Sequence, residues 1–307
     1  MMRLPHPIPY QGSKRNLASH ILRFFPKYYK RLIEPFAGSA AISIASAYYF
    51  KSSRFFLNDI NKPLMELWND IINKPETIIK RYHDLWFEQI GKEEEFYYNI
   101  REKFNITKKP EFLLFLLAKC VKAAVRYNNS GKFNQSPDKR RLGRKPEMMR
   151  EDILNVSKLL KFRTELSSKN YFDLIDNFAN NDLIYLDPPY HGTGISGGFN
   201  YHSNIDHNLF IEFLKLLNKK NIPFILSYDG RTDKKVFGGT LPEFLELHKI
   251  EINAGRSSQA TLLKRNNITY ESVYLSPVLI EKLQTINDRD NGMFQFSSNL
   301  QNSLFTN

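Results

Sequence analysis

The stretch of this sequence best equipped for chemistry is Asp187-Pro188-Pro189-Tyr190. A carboxylate is followed directly by two residues with fixed φ and no N–H, so the turn is stiff and offers acceptors rather than donors. Such a turn suits a weakly nucleophilic aromatic amine. The exocyclic amine of adenine has its lone pair delocalised into the ring. Two acceptors gripping its two N–H bonds favour a tetrahedral nitrogen and draw that lone pair out of conjugation. Asp187 offers one acceptor and the Pro188 carbonyl the other, while Tyr190 adds a flat face on which an extruded base can stack. Four residues alone are equally consistent with a proline-stiffened turn capped by an Asp, so the surrounding elements must decide.

Those elements read as an α/β fold. Leu32 to Phe36 is a short buried strand, Ala37-Gly38-Ser39-Ala40-Ala41 a small-residue turn, and a helix bearing Ile42, Ile44 and Ala45 follows. Arg54 to Asp59 is a second strand, which completes a βαβ unit. In such a unit the first turn lets backbone N–H groups approach a ligand, and an acid ending the second strand can bond ribose hydroxyls. Gly38 and Asp59, 21 positions apart, have the right types and spacing. The glycine pattern is incomplete, with Ala40 where a second glycine would stand, and an Asp ending a strand is more often a cap or turn residue than a ribose ligand. Asp182 to Leu186 is the strand that delivers Asp187, a helix spans Asp206 to Lys219, and Pro223 to Ser227 is a further strand. Leu245 to Ile252 and Tyr270 to Leu275 read as a closing pair, so a mixed sheet is expected.

Between Pro63 and about Leu160 the pattern turns helical, with segments at 64–72, 76–90, 94–104 and 111–125 and a polar, basic loop from Arg126 to Arg150. Cys120 falls on the apolar segment 111–125 and is expected to be buried filler. His191 to Asn200 is glycine-rich. It reads either as a loop able to close over a base held at Asp187 or as an ordinary connector.

Composition bounds the partners. The chain has 307 residues, 42% hydrophobic, which suits one large α/β domain or a core with an insertion. Its charge is +12, from 44 Lys and Arg against 32 Asp and Glu. That excess favours a polyanion, because each cation set on a phosphate releases counterions, although a merely basic soluble protein would show the same balance. A single cysteine excludes an intramolecular disulfide and fits a reducing compartment. The N-terminus lacks the apolar core of a signal peptide, and the longest apolar run, Phe112 to Ala118, is far too short to cross a bilayer. A cytoplasmic location with no membrane partner is therefore expected. The seven histidines show no metal-ligand spacing with Cys120 or with one another, and no metal is expected.

Four motifs in order resemble those of the Dam-like DNA adenine-N6 methyltransferases, S-adenosylmethionine-dependent enzymes whose cofactor motifs precede the catalytic one. Pro9-Tyr10-Gln11-Gly12-Ser13-Lys14 resembles the family's N-terminal cofactor motif, and Glu34 to Ala40 its strand-turn motif. Asn58-Asp59-Ile60-Asn61 resembles its acidic ribose motif and Asp187 to Tyr190 its catalytic motif. The likeness covers roughly residues 7 to 280. It implies a Rossmann-like S-adenosylmethionine-dependent methyltransferase core with a mainly helical DNA-recognition insertion. The core would comprise residues 1–62 and 155–285 and the insertion, with its hairpin, residues 63–154; residues 286–307 would form a disordered polar tail.

The resemblance also implies roles. Tyr10 and Lys14 would contact the cofactor, Lys14 through the methionine carboxylate; Phe36 and Gly38 would line the cleft, Asp59 would hold the ribose, and Asp187 would face both cofactor and adenine. Tyr171-Phe172 stands where the family often has an Asp-Phe pair, with Phe172 left to stack on the cofactor. Arg126 to Asn134 resembles the recognition hairpin of GATC-modifying members, although Val121 and Lys122 stand where those members carry an aromatic residue and an Asn just upstream. Arg126, Asn128, Lys132 and Asn134 are thus expected at double-stranded DNA. A guanidinium there can bond two acceptors on a guanine edge; the alternative reading is that Arg126 caps the preceding helix. Lys139-Arg140-Arg141 and Arg144-Lys145 read as phosphate contacts, or else as a solvated charge run. A companion restriction endonuclease would fit such an enzyme. The rivals are cytosine-N4 methylation, which needs the same acceptors but favours a Ser at position 187, an RNA substrate, and a DNA-binding regulator without catalysis.

Overall fold

The computed structural model describes residues 3–189, 205–232, 235–237, 241–256 and 268–289. Among them eight strands form one sheet: β1 (Leu32–Glu34), β2 (Phe55–Asn58), β3 (Thr164–Ser167), β4 (Leu183–Leu186), β5 (Phe224–Thr232), β6 (Lys235–Phe237), β7 (His248–Arg256) and β8 (Ile268–Leu275). The order is β3-β2-β1-β4-β5-β8-β7, with β6 paired to the end of β5. Strands β1 to β5 run parallel, and β8 is antiparallel to both β5 and β7. The mixed sheet expected from the sequence is therefore present.

Alternation along the strands explains why both faces are covered. Leu32, Phe55, Leu57, Leu183, Tyr185 and Ile225 belong to one apolar cluster, while Ile33, Ile184, Leu186, Phe224 and Leu226 belong to another. Successive strand residues point to opposite faces, so a strand buried on both sides reads as an apolar run rather than an alternation. The first face is covered by α1 (Ala18–Ile21), α2 (Ala41–Tyr48) and the helices between β2 and β3; α8 (His207–Lys219) packs on the second. A last helix, α9 (Pro277–Arg289), follows β8 and runs into the stretch expected to be a disordered tail, of which residues 290–307 lie outside the described residues.

The helical stretch comprises α3 (Lys62–Asn73), α4 (Pro75–Glu88), α5 (Glu93–Thr107), α6 (Pro110–Lys119) and α7 (Pro146–Leu160). Four of the five start with a proline in the first turn, where a missing N–H costs nothing. Their apolar faces join the same cluster as the sheet rather than forming a core of their own.

Three expectations need correction. The helix read as 111–125 ends at Lys119, so Cys120 lies just beyond it, still buried. The chain turns extended there because Val121 N–H donates to the Ser136 carbonyl (3.0 Å) and Cys120 bridges to Pro137, and this pairing overrides the local helical preference. The loop read as Arg126 to Arg150 ends early, because Pro146 starts α7, which runs unbroken across position 155. The strand read from Leu245 begins at His248, since Glu243–Leu245 is a 3-10 turn closed by Glu246 at φ 53°. Strand β3 was not legible at all. It is a four-residue edge strand with one large apolar residue, and only pairing with β2 makes it a strand.

Arg144 departs from the phosphate-contact reading. Its guanidinium is mostly buried, donates to the His6 carbonyl (2.8 Å) and pairs with buried Asp152, which also receives Arg3 at 3.0 Å. It is a packing cation that ties the N-terminal segment to α7. Because Arg3 would still reach Asp152, Arg144→Ala should cost near the low end of a broken buried pair, about 3 kcal/mol, measured by urea unfolding.

Candidate active site

In a doubly wound sheet, ligands bind beyond the carboxyl ends of the strands where the strand order reverses. Here that point lies between β1 and β4, since β1 leads to β2 on one side and has β4 on the other. A cleft of about 470 Å³ opens there, a size suited to a small ligand. It is lined by residues from the N-terminal motif, the glycine turn, the end of β2, the hairpin and the turn after β4.

The glycine turn is built tightly. Gly38 has φ 47°, and a Cβ on it would sit 3.1 Å from Cε1 of Tyr10. Its N–H donates to Asp59 Oδ2 (3.0 Å), and its carbonyl accepts from the indole N–H of fully buried Trp68 on α3 (2.9 Å). Asp59 Oδ1 accepts from the Asn61 N–H at 2.9 Å. Asp59 is thus a turn-holding acid, as the cap reading has it, and it also lines the cleft. Ala40 adopts the left-handed conformation at φ 47°, ψ 37°, the backbone state a second glycine would have served, and it starts α2. The Ser39 hydroxyl donates to Ser13 Oγ (2.8 Å) and ties the N-terminal motif to the turn.

The charged groups converge on Lys14, which lies in a 3-10 turn (Lys14–Asn16) before α1. Its Nζ is 2.8 Å from Asp187 Oδ1 and 3.0 Å from Glu271 Oε1, and all three side chains are mostly buried. Burial raises the Asp187 carboxyl to about 6; the Lys14 ammonium pulls it back and Glu271 pushes it further up. Glu34, ending β1, is buried and accepts from the Ser43 N–H (2.7 Å). Burial raises it to about 8 against those Ser43 bonds, so it is mainly neutral at pH 7.

Most of the expected cofactor and catalytic residues meet here. Tyr10, Lys14, Phe36, Gly38, Asp59, Asp187 and Pro188 all line the cleft, and so does Arg126. Phe172 does not. It packs on Tyr171 and Phe213 beneath Phe36, so it supports the wall rather than lining it. Tyr190 and the 191–200 loop lie outside the described residues.

The segment 126–134 is a hairpin: Tyr127 bridges Phe133, Asn134 N–H donates to the Arg126 carbonyl (3.0 Å), and Gly131 turns at φ 68°. Asn128 Oδ1 accepts from the Ser130 and Lys132 N–H groups, so this side chain shapes the turn. Lys132 and Asn134 are exposed. Arg126 lies well past the end of α6 and cannot cap it. Lys139 pairs with Glu94 at 2.9 Å, while Arg140 and Arg141 share Asp138 at 3.1 and 2.9 Å.

Two carboxyls were not assigned from sequence: Glu34, which lines the cleft, and Glu271, which reaches Lys14. A lone acid inside the apolar run Leu32 to Phe36 was a usable signal for Glu34; nothing local marks Glu271, which only sheet pairing brings to Lys14. Among the described residues no group of three or more His, Cys, Asp or Glu could hold a metal ion, and no helix is long and apolar enough to cross a membrane.

A parallel sheet that reverses at a glycine turn, closed by an antiparallel pair and carrying an acceptor-rich turn after β4, defines a Rossmann-like methyltransferase fold. A family model described as D12 class N6 adenine-specific DNA methyltransferase matches residues 10–253, and the chain belongs to that family. It is similar to the modification methylase StsI of Streptococcus sanguinis, 27% identical over 82% of this chain and 40% of that protein. It is equally similar, at 27%, to the type II methyltransferase M.MjaIII of Methanocaldococcus jannaschii, over 79% of this chain and 89% of the relative. The retron Ec67 DNA adenine methylase of Escherichia coli is 27% identical over 83% and 88%. The chain thus spans most of two of these relatives and less than half of the StsI methylase.

Glu34 yields a pH test. Its folded carboxyl stands near 8 against an ordinary 4.5, so the stability it contributes is full below about 4.5 and is lost as pH rises through 8. Glu34→Gln keeps the shape without the ionisation. Urea unfolding should show the variant gaining on the wild type as pH is raised from 5 to 8.5, with no difference in trend below 4.5.

Proposed function

We infer that this chain transfers a methyl group from S-adenosylmethionine to N6 of an adenine extruded from double-stranded DNA. The observation that carries the reading is the opening of Asp187 and Pro188 onto the same cleft as Gly38 and Asp59, which sets an amine-gripping turn beside a nucleoside-binding one.

The cleft fits the cofactor. The bare Cα of Gly38 provides a close approach that a side chain would fill, and Asp59 stands at the end of β2 where ribose hydroxyls are held. A carboxylate can accept more than two hydrogen bonds, so bracing the turn and holding a ribose are compatible roles. Tyr10 and Phe36 supply flat apolar walls. When bound, the cofactor supplies an electrophilic methyl on a sulfonium. Lys14, expected at the methionine carboxylate, lines the same cleft and is ion-paired with Asp187 and Glu271, so its charge lies beside the acceptor turn.

Asp187 and the Pro188 carbonyl accept the two N–H bonds of the adenine amine and turn its lone pair outward. As the nitrogen gains a carbon it gains positive charge, and the buried Asp187 carboxylate stabilises that charge more than water would. The neutral amine attacks first and sheds its proton afterwards, so no strong base is required. Lys14 keeps Asp187 ionised in a site whose burial favours the acid form. Tyr190, next in the chain, is assigned the stacking face for the base.

Residues 63–154 are assigned target recognition. Arg126 joins the hairpin to the cleft mouth, with Lys132 and Asn134 exposed beside it. Lys139, Arg140 and Arg141 are assigned to phosphate; Lys139 and Glu94 form a surface pair of the kind worth little, while Arg140 and Arg141 are exposed guanidinium groups that share the buried Asp138 and keep donors facing outward. A companion endonuclease is part of the proposal, prompted by relatives bearing the name modification methylase.

DNA incubated with the protein and S-adenosylmethionine should yield N6-methyladenine on nucleoside digestion, and N4-methylcytosine alone would overturn the reading. Asp187→Ala, checked as folded by its melting curve, should keep less than about a tenth of wild-type turnover, a deficit of at least ~1.4 kcal/mol.

Arg126→Ala should relax preference at one base position, at a cost of roughly 1–3 kcal/mol there. Methylation of a randomised duplex library by both proteins, read by sequencing, measures this. Identical site profiles with only overall activity lowered would remove Arg126 from recognition.

A further inference from the structure

We propose that Glu271 is a positioning residue for methyl transfer: from β8 it holds the Lys14 ammonium against one oxygen of Asp187, so that the catalytic acid is oriented by a carboxylate–ammonium–carboxylate bridge. This rests on the reading of Asp187 as the amine acceptor. The bridge joins three distant segments, the N-terminal turn, the turn after β4 and the antiparallel strand β8, through contacts of 2.8 and 3.0 Å at one nitrogen. Glu271 is only 12% exposed, and Lys14 only 9%. The backbone register sets its place: Glu271 pairs with Gly230 of β5, which itself neighbours β4.

The chemistry explains why a second carboxylate helps. A lysine is a compact charge on a flexible stem with three donors, and it settles in one geometry only when its donors are fixed. Without Glu271 the ammonium would keep Asp187 and a long contact to the Gly12 carbonyl (3.4 Å), and it could swing across both carboxylate oxygens and compete with the substrate amine. Anchored at Glu271 as well, it stays at Oδ1 and leaves the second oxygen to the amine. The groups facing this bridge are Glu34 from β1, Tyr185 from β4 and Tyr10 from the N-terminal motif. Glu34 is largely neutral at pH 7 and the tyrosines are held protonated by burial, so Lys14 and Glu271 dominate the field at Asp187.

Glu271→Gln retains an acceptor for Lys14, while Glu271→Ala removes it. In steady-state methylation of a plasmid, the alanine variant should lose at least about tenfold in kcat with KM for the cofactor little changed, whereas glutamine should lose no more than about threefold. In a Lys14→Met background Glu271→Ala should cost less than about twofold more, because the residue acts through Lys14. Carbon-13 titration of the Asp187 carboxyl, without DNA or cofactor, gives an independent reading. Its midpoint should fall below about 6 in Glu271→Gln and rise in Lys14→Met. Equal losses for alanine and glutamine that persist in the Lys14→Met background would overturn the proposal, and so would an Asp187 midpoint unmoved by Glu271→Gln. If Glu271→Ala fails to fold, the glutamine titration still decides. A wild-type product other than N6-methyladenine would overturn the functional reading while leaving the titration result intact.

Discussion

The mostly buried Lys14 ammonium stands among three carboxyl groups at the wall of the cleft, and the site depends on how that charge is shared. Lys14 touches Asp187 and Glu271, and Glu34 lies close enough for Asp187 to push its carboxyl further up. Three ionised acids would repel one another strongly at low dielectric. The structure resolves the conflict by keeping Glu34 mostly protonated and setting the Lys14 ammonium between the other two. What is left is one carboxylate that is charged, oriented and poor in competing partners, which is what a weakly nucleophilic amine needs from its acceptor.

That arrangement requires strand ends that are remote in sequence. The turns after β1 and β4 come together because the parallel order reverses between them, and β8 reaches the same edge by running antiparallel. The helices between β2 and β3 brace the site from below. Trp68 of α3 holds the Gly38 carbonyl, and Tyr127 of the hairpin donates to Asn61 beside Asp59 (3.3 Å). The N-terminal motif is pinned to the same region through Gln11 N–H on the Ala123 carbonyl (3.0 Å). The segment assigned to target recognition is therefore hydrogen-bonded directly to the turns that would hold the cofactor, with no linker between them.

The basic run after the hairpin divides into two kinds of residue that look alike in a sequence. Arg144 is taken into the protein by Asp152 and the His6 carbonyl, while Lys139, Arg140 and Arg141 keep their own side chains at the surface, the two arginines on the buried Asp138 and Lys139 on the exposed Glu94. The difference lies in where Pro146 starts α7. The helix carries Asp152 inward, and a buried acid needs a cation beside it.

Local chemistry was enough to determine the acceptor turn at Asp187, the glycine turn with Asp59 at its matching distance, the apolar strands that carry them and the helical character of the middle third. Each rests on short-range rules: proline geometry, close approach at glycine, and the periods of burial. Only the tertiary structure decided the rest. The edge strand β3 exists because β2 offers it a ladder, and α6 stops at Lys119 because Ser136 and Pro137 capture the backbone beyond it. Phe172 became a support rather than a wall through its packing on Tyr171 and Phe213. Glu271 met Lys14 across 257 positions because β8 pairs with β5 in a register no local pattern encodes. Long-range pairing and the sharing of buried charge are properties of the assembled sheet, and a side chain's part in them is settled only when its distant partners arrive.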